Sequence, residues 1–222
     1  MSQPAPPSLA VLISGRGSNL QAFIDACDAG QLPARITLVI SNNPAAAGLQ
    51  RAERAGIATL SIDHRDYPSR EAFDQALVDA LHSSDIDLVI LAGFMRILTP
   101  VLIKPYLGRL LNIHPSLLPK YPGLKTHQRA LDAGDTEAGA TVHFVTQELD
   151  GGPPVLQVRV PIERGDTADS LAARVAVQEH AIYPLAARWL AEGRLALHDG
   201  GATLDGQPLP ATGIDYTGGM SD

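Results

Sequence analysis

Apolar positions along the chain follow two rhythms. Residues 8–14, 36–41, 59–62, 88–92 and 110–114 are short runs dense in Leu, Ile, Val and Ala, as in strands buried on both faces. Between them apolar residues recur at helical spacing over 20–29, over 45–55 closing at Gly56, and over 70–82 with Ser69 as N-cap. Strands alternating with helices in this way predict an open α/β sheet, Rossmann-like, parallel in its N-terminal half. The rhythm then changes. Residues 140–146 and 155–160 alternate apolar and polar positions around a Gly-Gly-Pro-Pro loop, which predicts antiparallel strands completing the sheet. Residues 167–192 carry an inner stripe of Leu171, Val175 and Ile182, a long C-terminal helix kinked or interrupted at Pro184. The expected layout is a disordered extension over 1–7, a single domain over 8–206, and a flexible tail over 207–222, rich in Gly, Pro and Asp.

Two turns in this pattern carry candidate chemistry. The first strand runs into Gly15-Arg16-Gly17-Ser18-Asn19 and then a helix. A dinucleotide fingerprint is excluded, because the third glycine position is Leu20 and the second strand ends in Ser41-Asn42-Asn43, without an acid for a ribose. A P-loop lysine is also absent. Two readings stay open: a tight strand-to-helix turn, or a cradle in which the N–H groups of Gly17, Ser18 and Asn19 hold one phosphate. The second turn follows the fifth strand. Side chains alternate along a strand, so Asn112 and His114 share one face while Ile113 points to the other. They are either a core-edge amide with a structural imidazole, or a polar pair at the carboxyl end of a strand, where open α/β sheets bind ligands. Pro115 stops the strand, and the Leu- and Pro-rich loop up to Lys120-Tyr121-Pro122-Gly123 continues neither helix nor strand.

Composition narrows the field. The 222 residues suit one α/β domain or two small ones, and 45% hydrophobic with 18% charged residues is ordinary for a soluble globular protein. A net charge of −7 argues against a nucleic-acid footprint and leaves any anionic substrate dependent on local donors. The single cysteine, Cys27, excludes an internal disulfide and a cysteine zinc site, and sits among Phe23, Ile24 and Ala26 as a packed small hydrophobe. The seven histidines show no metal-binding spacing, and no Gly-x-Ser-x-Gly occurs. No apolar run approaches the ~18 residues of a membrane span, and the start lacks the features of a signal peptide. The expectation is a cytoplasmic protein, monomer or homodimer, with neither metal, membrane nor nucleic acid as partner.

The block from Gly108 to His127, with Asn112-Ile-His114 and its Pro-Lys-Tyr-Pro-Gly-Leu ending, resembles the signature of the folate-dependent formyltransferases. The resemblance runs over residues 8 to about 206 and is most similar to the branch whose acceptor is glycinamide ribonucleotide. It implies transfer of the formyl group of 10-formyltetrahydrofolate to the amine of that ribonucleotide, with the folate as co-substrate. It further implies catalytic roles for Asn112, His114 and Asp150, the last from the matching loop Leu149-Asp150-Gly151-Gly152-Pro153. Gly17, Ser18 and Asn19 would hold the ribonucleotide phosphate, and Glu179 its ribose hydroxyls. Met95-Arg96-Ile97-Leu98 resembles the pterin-binding segment, with Asn112 also on the folate, and Arg70 matches a residue near the folate carboxylate tail. Lys125 stands where the family commonly has His. Two relatives share the motif. A methionyl-tRNA formyltransferase is expected to carry a further C-terminal domain and a basic surface, and a 10-formyltetrahydrofolate hydrolase a domain before the first strand. A non-catalytic nucleotide-binding module on the same fold is the reading from another class.

Overall fold

The computed structural model describes residues 5–218. Its centre is an eight-stranded sheet in the order β11-β7-β6-β5-β4-β1-β2-β3. Strands β1 (Ser8–Ile13), β2 (Arg35–Ser41), β3 (Ala58–Ser61), β4 (Leu88–Leu91) and β5 (Leu110–His114) are parallel. β6 (Glu137–Phe144) runs antiparallel between β5 and β7 (Pro154–Pro161), and β11 (Ile214–Tyr216) lies parallel to β7. β6 therefore runs against the other seven, which is narrower than the antiparallel completion expected from the sequence.

Strand alternation sorts the core into two layers. Leu9, Val11, Ile13, Leu88, Ile90, Leu111 and Ile113 face α1 (Ser18–Asp28) and α6 (Ala168–Ala191). Ala10, Leu12, Val89, Leu91 and Leu110 face α3 (Arg70–Ser83) and the short α4 (Pro100–Ile103). Ser69 caps α3 by accepting from the Ala72 N–H at 3.1 Å, and Thr167 caps α6 in a reciprocal pair with Ser170. Tyr183, in the middle of α6, donates its buried hydroxyl between the carbonyls of Leu91 and Leu111 at 3.0 and 2.9 Å, seating the helix on the ends of β4 and β5. Pro184 lies inside α6 without ending it.

Two expectations need correction. The segment from 207 on is not a loose tail as far as it is described: β10 (Gln207–Pro208) joins β8 (Leu195–His198) and β9 (Gly201–Leu204) in a small antiparallel sheet, and β11 adds an edge to the main one. Gly213 is needed there, since its φ is 77° and a Cβ would lie 2.8 Å from the Val155 carbonyl carbon. Residues 219–222, like residues 1–4 of the expected extension, lie outside the described part. Three short elements also went unread: α4, α5 (Thr126–Asp132) and a 3-10 turn over His64–Asp66. α2 (Ala47–Arg54) completes the helices.

Candidate active site

After β3 the chain crosses back to place β4 on the other side of β1, so the loops leaving β1 and β4 diverge at a topological switch point. A cavity of about 260 Å³ opens there, lined by Ser14 to Asn19 and by Ala92, Gly93 and Met95. Gly17 is the N-cap of α1, with a φ of 72° that suits glycine. The first amides of α1 have no intrahelical acceptor, and Gly17 supplies no side chain to cap them. Asn19 turns inward, donating Nδ2–H to Glu179 of α6 at 2.8 Å. Burial raises the pKa of Glu179, and the Asn19 hydrogen bond opposes that rise.

The end of β5 supports a second constellation. Asn112 and His114 share the parity of Leu110, as strand alternation predicts, and the antiparallel register sets His143 of β6 opposite Asn112. His143 donates Nδ1–H to the Phe144 carbonyl at 2.8 Å, and burial lowers its pKa, so the ring is neutral with a lone pair on Nε2. Asn112 Nδ2 lies 3.2 Å from that nitrogen and donates to it. The contact fixes which end of the amide is NH₂ and leaves its second N–H free to act as donor. His114 Nε2 is 2.9 Å from the Tyr121 carbonyl, an acceptor only, so this nitrogen carries hydrogen and any exchangeable proton is on Nδ1. Nδ1 faces Asp150 Oδ2 at 3.5 Å.

Asp150 reaches this position from a loop 36 residues away in sequence, with φ at 52°, a conformation Asp tolerates better than most residues. Its Oδ2 also accepts the Gly123 N–H at 2.8 Å, which ties the 145–153 loop to the loop after β5. Gly152 is required by packing, because a Cβ there would sit 1.8 Å from the Phe144 carbonyl oxygen. Behind His114, Thr141 Oγ1 donates to the Ser116 carbonyl and accepts from Leu118 N–H and Gln157 Nε2, holding the Pro-rich loop from inside.

Arg96, Ile97, Leu98, Asn112 and Asp150 line one small cavity of about 110 Å³, together with His143. Met95 does not. It borders the cavity at the Gly17 turn, 65% exposed, with its N–H donated to Ser14 Oγ at 2.7 Å. Arg70 is the exposed first residue of α3 and lines neither cavity. Lys125 is exposed at the start of α5. His143 was not singled out from the sequence, although it and Thr141 occupy alternate positions on a predicted strand and thus one face. Among the described residues no group of three His, Cys, Asp or Glu side chains could hold a metal, and no helix is long and apolar enough to cross a membrane.

The formyl transferase profile matches residues 8–187, which include both constellations. The chain belongs to the formyl transferase family. Within it, the chain is 55% identical to the phosphoribosylglycinamide formyltransferase of Escherichia coli K12, over 93% of this chain and 97% of that one. It is 49% identical to the human trifunctional purine biosynthetic protein adenosine-3, over 87% of this chain but only 19% of that longer protein. Among solved family structures, the phosphoribosylglycinamide formyltransferase of Coxiella burnetii, in complex with CHES, superposes with a TM-score of 0.91 at 48% identity. That match covers 95% of this chain and 99% of the other.

Proposed function

We propose that this formyl transferase moves the formyl group of 10-formyltetrahydrofolate to the primary amine of glycinamide ribonucleotide in purine biosynthesis, yielding formylglycinamide ribonucleotide and tetrahydrofolate. The observation that carries the reading is the meeting of Asn112, His114 and Asp150 at the end of β5, in a chain so similar to named phosphoribosylglycinamide formyltransferases. The ribonucleotide phosphate takes the amides of Gly17, Ser18 and Asn19, and Glu179 faces its ribose hydroxyls. The folate pterin takes the cavity walled by Arg96, Ile97 and Leu98 beside Asn112. Met95 lies at the border of the two, and Arg70 meets the folate tail outside the cavity.

No covalent nucleophile is needed, because the neutral amine attacks the formyl carbon directly. Holding the two substrates together supplies much of the acceleration. As the carbon becomes tetrahedral its oxygen gains negative charge. In this mechanism the free N–H of Asn112 and a proton on His114 Nδ1 donate to it. The attacking nitrogen must lose a proton and N10 of the folate must gain one as the C–N10 bond breaks. Asp150, 3.5 Å from His114 Nδ1, is the carboxylate that balances a charged imidazole and carries that proton, directly or through water.

The test is tetrahydrofolate release at neutral pH with and without glycinamide ribonucleotide. Release is expected to stay slow until the ribonucleotide is added, and Asp150→Asn to lose nearly all of the stimulated rate. Brisk release without acceptor would identify a hydrolase instead, and full acceptor-dependent turnover in Asp150→Asn would remove the carboxylate from the mechanism.

A further inference from the structure

Two consecutive peptide groups of the loop after β1 are held from the side of α2. Gly48, second residue of that helix, donates its N–H to the Gly15 carbonyl at 3.0 Å. Arg51, one turn on, donates Nε–H to the Arg16 carbonyl at 2.9 Å and Nη1–H to Gln21 Oε1 at 3.2 Å. The approach is close on both sides. A Cβ on Gly17 would lie 2.8 Å from Gly48 Cα, and one on Gly48 would lie 3.2 Å from both the Gly15 carbonyl oxygen and Gly17 Cα.

Across a planar trans peptide the C=O and the N–H point in opposite directions. Fixing the carbonyls of Gly15 and Arg16 toward α2 therefore turns the N–H groups of Arg16 and Gly17 away from it. Neither N–H finds an acceptor among the described residues. Ser14 to Asn19 line the cavity at the switch point, and no residue of α2 does.

We propose that Gly48 and Arg51 form a clamp that presets the anion-binding loop, aiming the N–H groups of Arg16 and Gly17 into the cavity. With the helix amides of Ser18 and Asn19 they make a four-amide nest for the ribonucleotide phosphate. The inference rests on reading that cavity as the phosphate site. Arg51 is a positioning residue. It holds the loop from behind, and its planar fork spans the Arg16 carbonyl and Gln21 together, which a lysine ammonium cannot do in the same geometry. A nest whose peptide planes are already turned pays no reorganisation when the phosphate arrives.

The experiment compares Arg51→Ala, Arg51→Lys and Ser18→Asp in steady-state assays, with inorganic phosphate as a competitor against the ribonucleotide. Arg51→Ala is expected to raise the KM for glycinamide ribonucleotide and the inhibition constant of phosphate by about tenfold each, the scale of one charge-assisted hydrogen bond. The KM for the folate and kcat should stay within about twofold, since the clamp touches neither. Arg51→Lys keeps the charge and should fall between wild type and Arg51→Ala. In NMR titrations with phosphate, the amides of Arg16 and Gly17 should shift in wild type and respond far less in the variants. If Ser18→Asp leaves the ribonucleotide KM unchanged, the phosphate reading itself fails. If Ser18→Asp raises that KM while Arg51→Ala and Arg51→Lys do not, the clamp is overturned. The clamp also fails if Arg51→Ala lowers kcat alone, or if phosphate shifts the two amides equally in wild type and variant. Should Arg51→Ala not fold, Arg51→Lys decides alone, with unchanged ribonucleotide KM and phosphate inhibition counting against the proposal.

Discussion

The two halves of the cleft are built from different materials. At the end of β1 the available groups are backbone N–H donors, presented by a glycine turn and the start of α1 and braced by α2. At the end of β5 they are side chains, namely Asn112, His114, His143 and Asp150, drawn from β5, β6 and a loop. Amides are fixed dipoles that do not titrate, so the first region responds to backbone path and local charge. Imidazoles and carboxylates can hold, accept and pass a proton, so the second responds to where protons sit and to which ring nitrogen carries hydrogen. Recognition of an anion belongs to the first kind of site and handling a developing charge to the second. Substitutions in the two should therefore separate into effects on KM and effects on kcat.

That division is sharpest at His114. His114→Ala and Asn112→Ala are each expected to lower kcat by roughly 10²–10³-fold, the usual loss for one oxyanion donor, with the ribonucleotide KM little changed. A near-normal kcat in His114→Ala would falsify the assignment. Ser18→Asp is the mirror test at the other region. A carboxylate among the first amides of α1 repels the phosphate, and the KM for the ribonucleotide should rise by about ten- to a hundredfold while that for the folate holds. Equal changes in both KM values would erase the contrast.

Smaller effects come from the buried titratable groups. His143 has its pKa lowered by burial from the ordinary 6.5, so below that pH the unfolded chain binds more protons than the folded one. Its contribution is full above about pH 6.5 and falls as the pH drops, by up to about 1.4 kcal/mol per unit until the folded-state pKa is reached. His127 on α5 is shifted the same way, chiefly by burial. Denaturant midpoints at pH 7.5 and 5.5 should thus converge in His143→Gln relative to wild type, and an unchanged slope would mean that His143 titrates normally. Glu179 has the opposite sign. Its pKa is raised, so the ionised form is disfavoured in the fold and the strain grows as the pH rises above its ordinary 4.5. Glu179→Gln is expected to stabilise the protein at neutral pH by about 1 kcal/mol or less while raising the ribonucleotide KM several-fold. A less stable variant with normal KM would show that the carboxylate serves the fold and not the ligand.

What could be read in advance divides along the same line. β5 is found at residues 110–114 as its apolar run predicts, and α3 begins at Arg70, directly after the predicted cap Ser69, because burial on both faces and a capping hydroxyl are local signals. Asn112 and His114 were paired by strand parity alone. The strands β8 to β11 carry no legible signal because they are only two to four residues long, with Gly and Pro between them, which reads as loop until a neighbouring edge is known. The resemblance groups Met95 with Arg96, Ile97 and Leu98, whereas in the fold its N–H goes to Ser14 Oγ and it borders the other cavity. His143 is not marked by its sequence, because nothing local distinguishes a strand histidine that lines a cavity from one packed in the core.

The sequence by itself determined the alternation of β1 to β5 with the helices α1 to α3, the glycine turn after β1, the shared face of Asn112 and His114, and the resemblance that named a chemistry. These follow from interactions within a few residues: side-chain alternation, helical period, caps, and the backbone freedom of glycine. Only the tertiary structure decided that Asp150 meets His114, that His143 sets the donor end of Asn112, and that Arg51 braces the loop beside Gly17. Each joins segments between 31 and 36 residues apart. Hydrogen bonds and ion pairs act over only about 3–4 Å. Sheet register, the β4 crossover and the packing of α2 bring such groups into range, and no local pattern encodes that meeting.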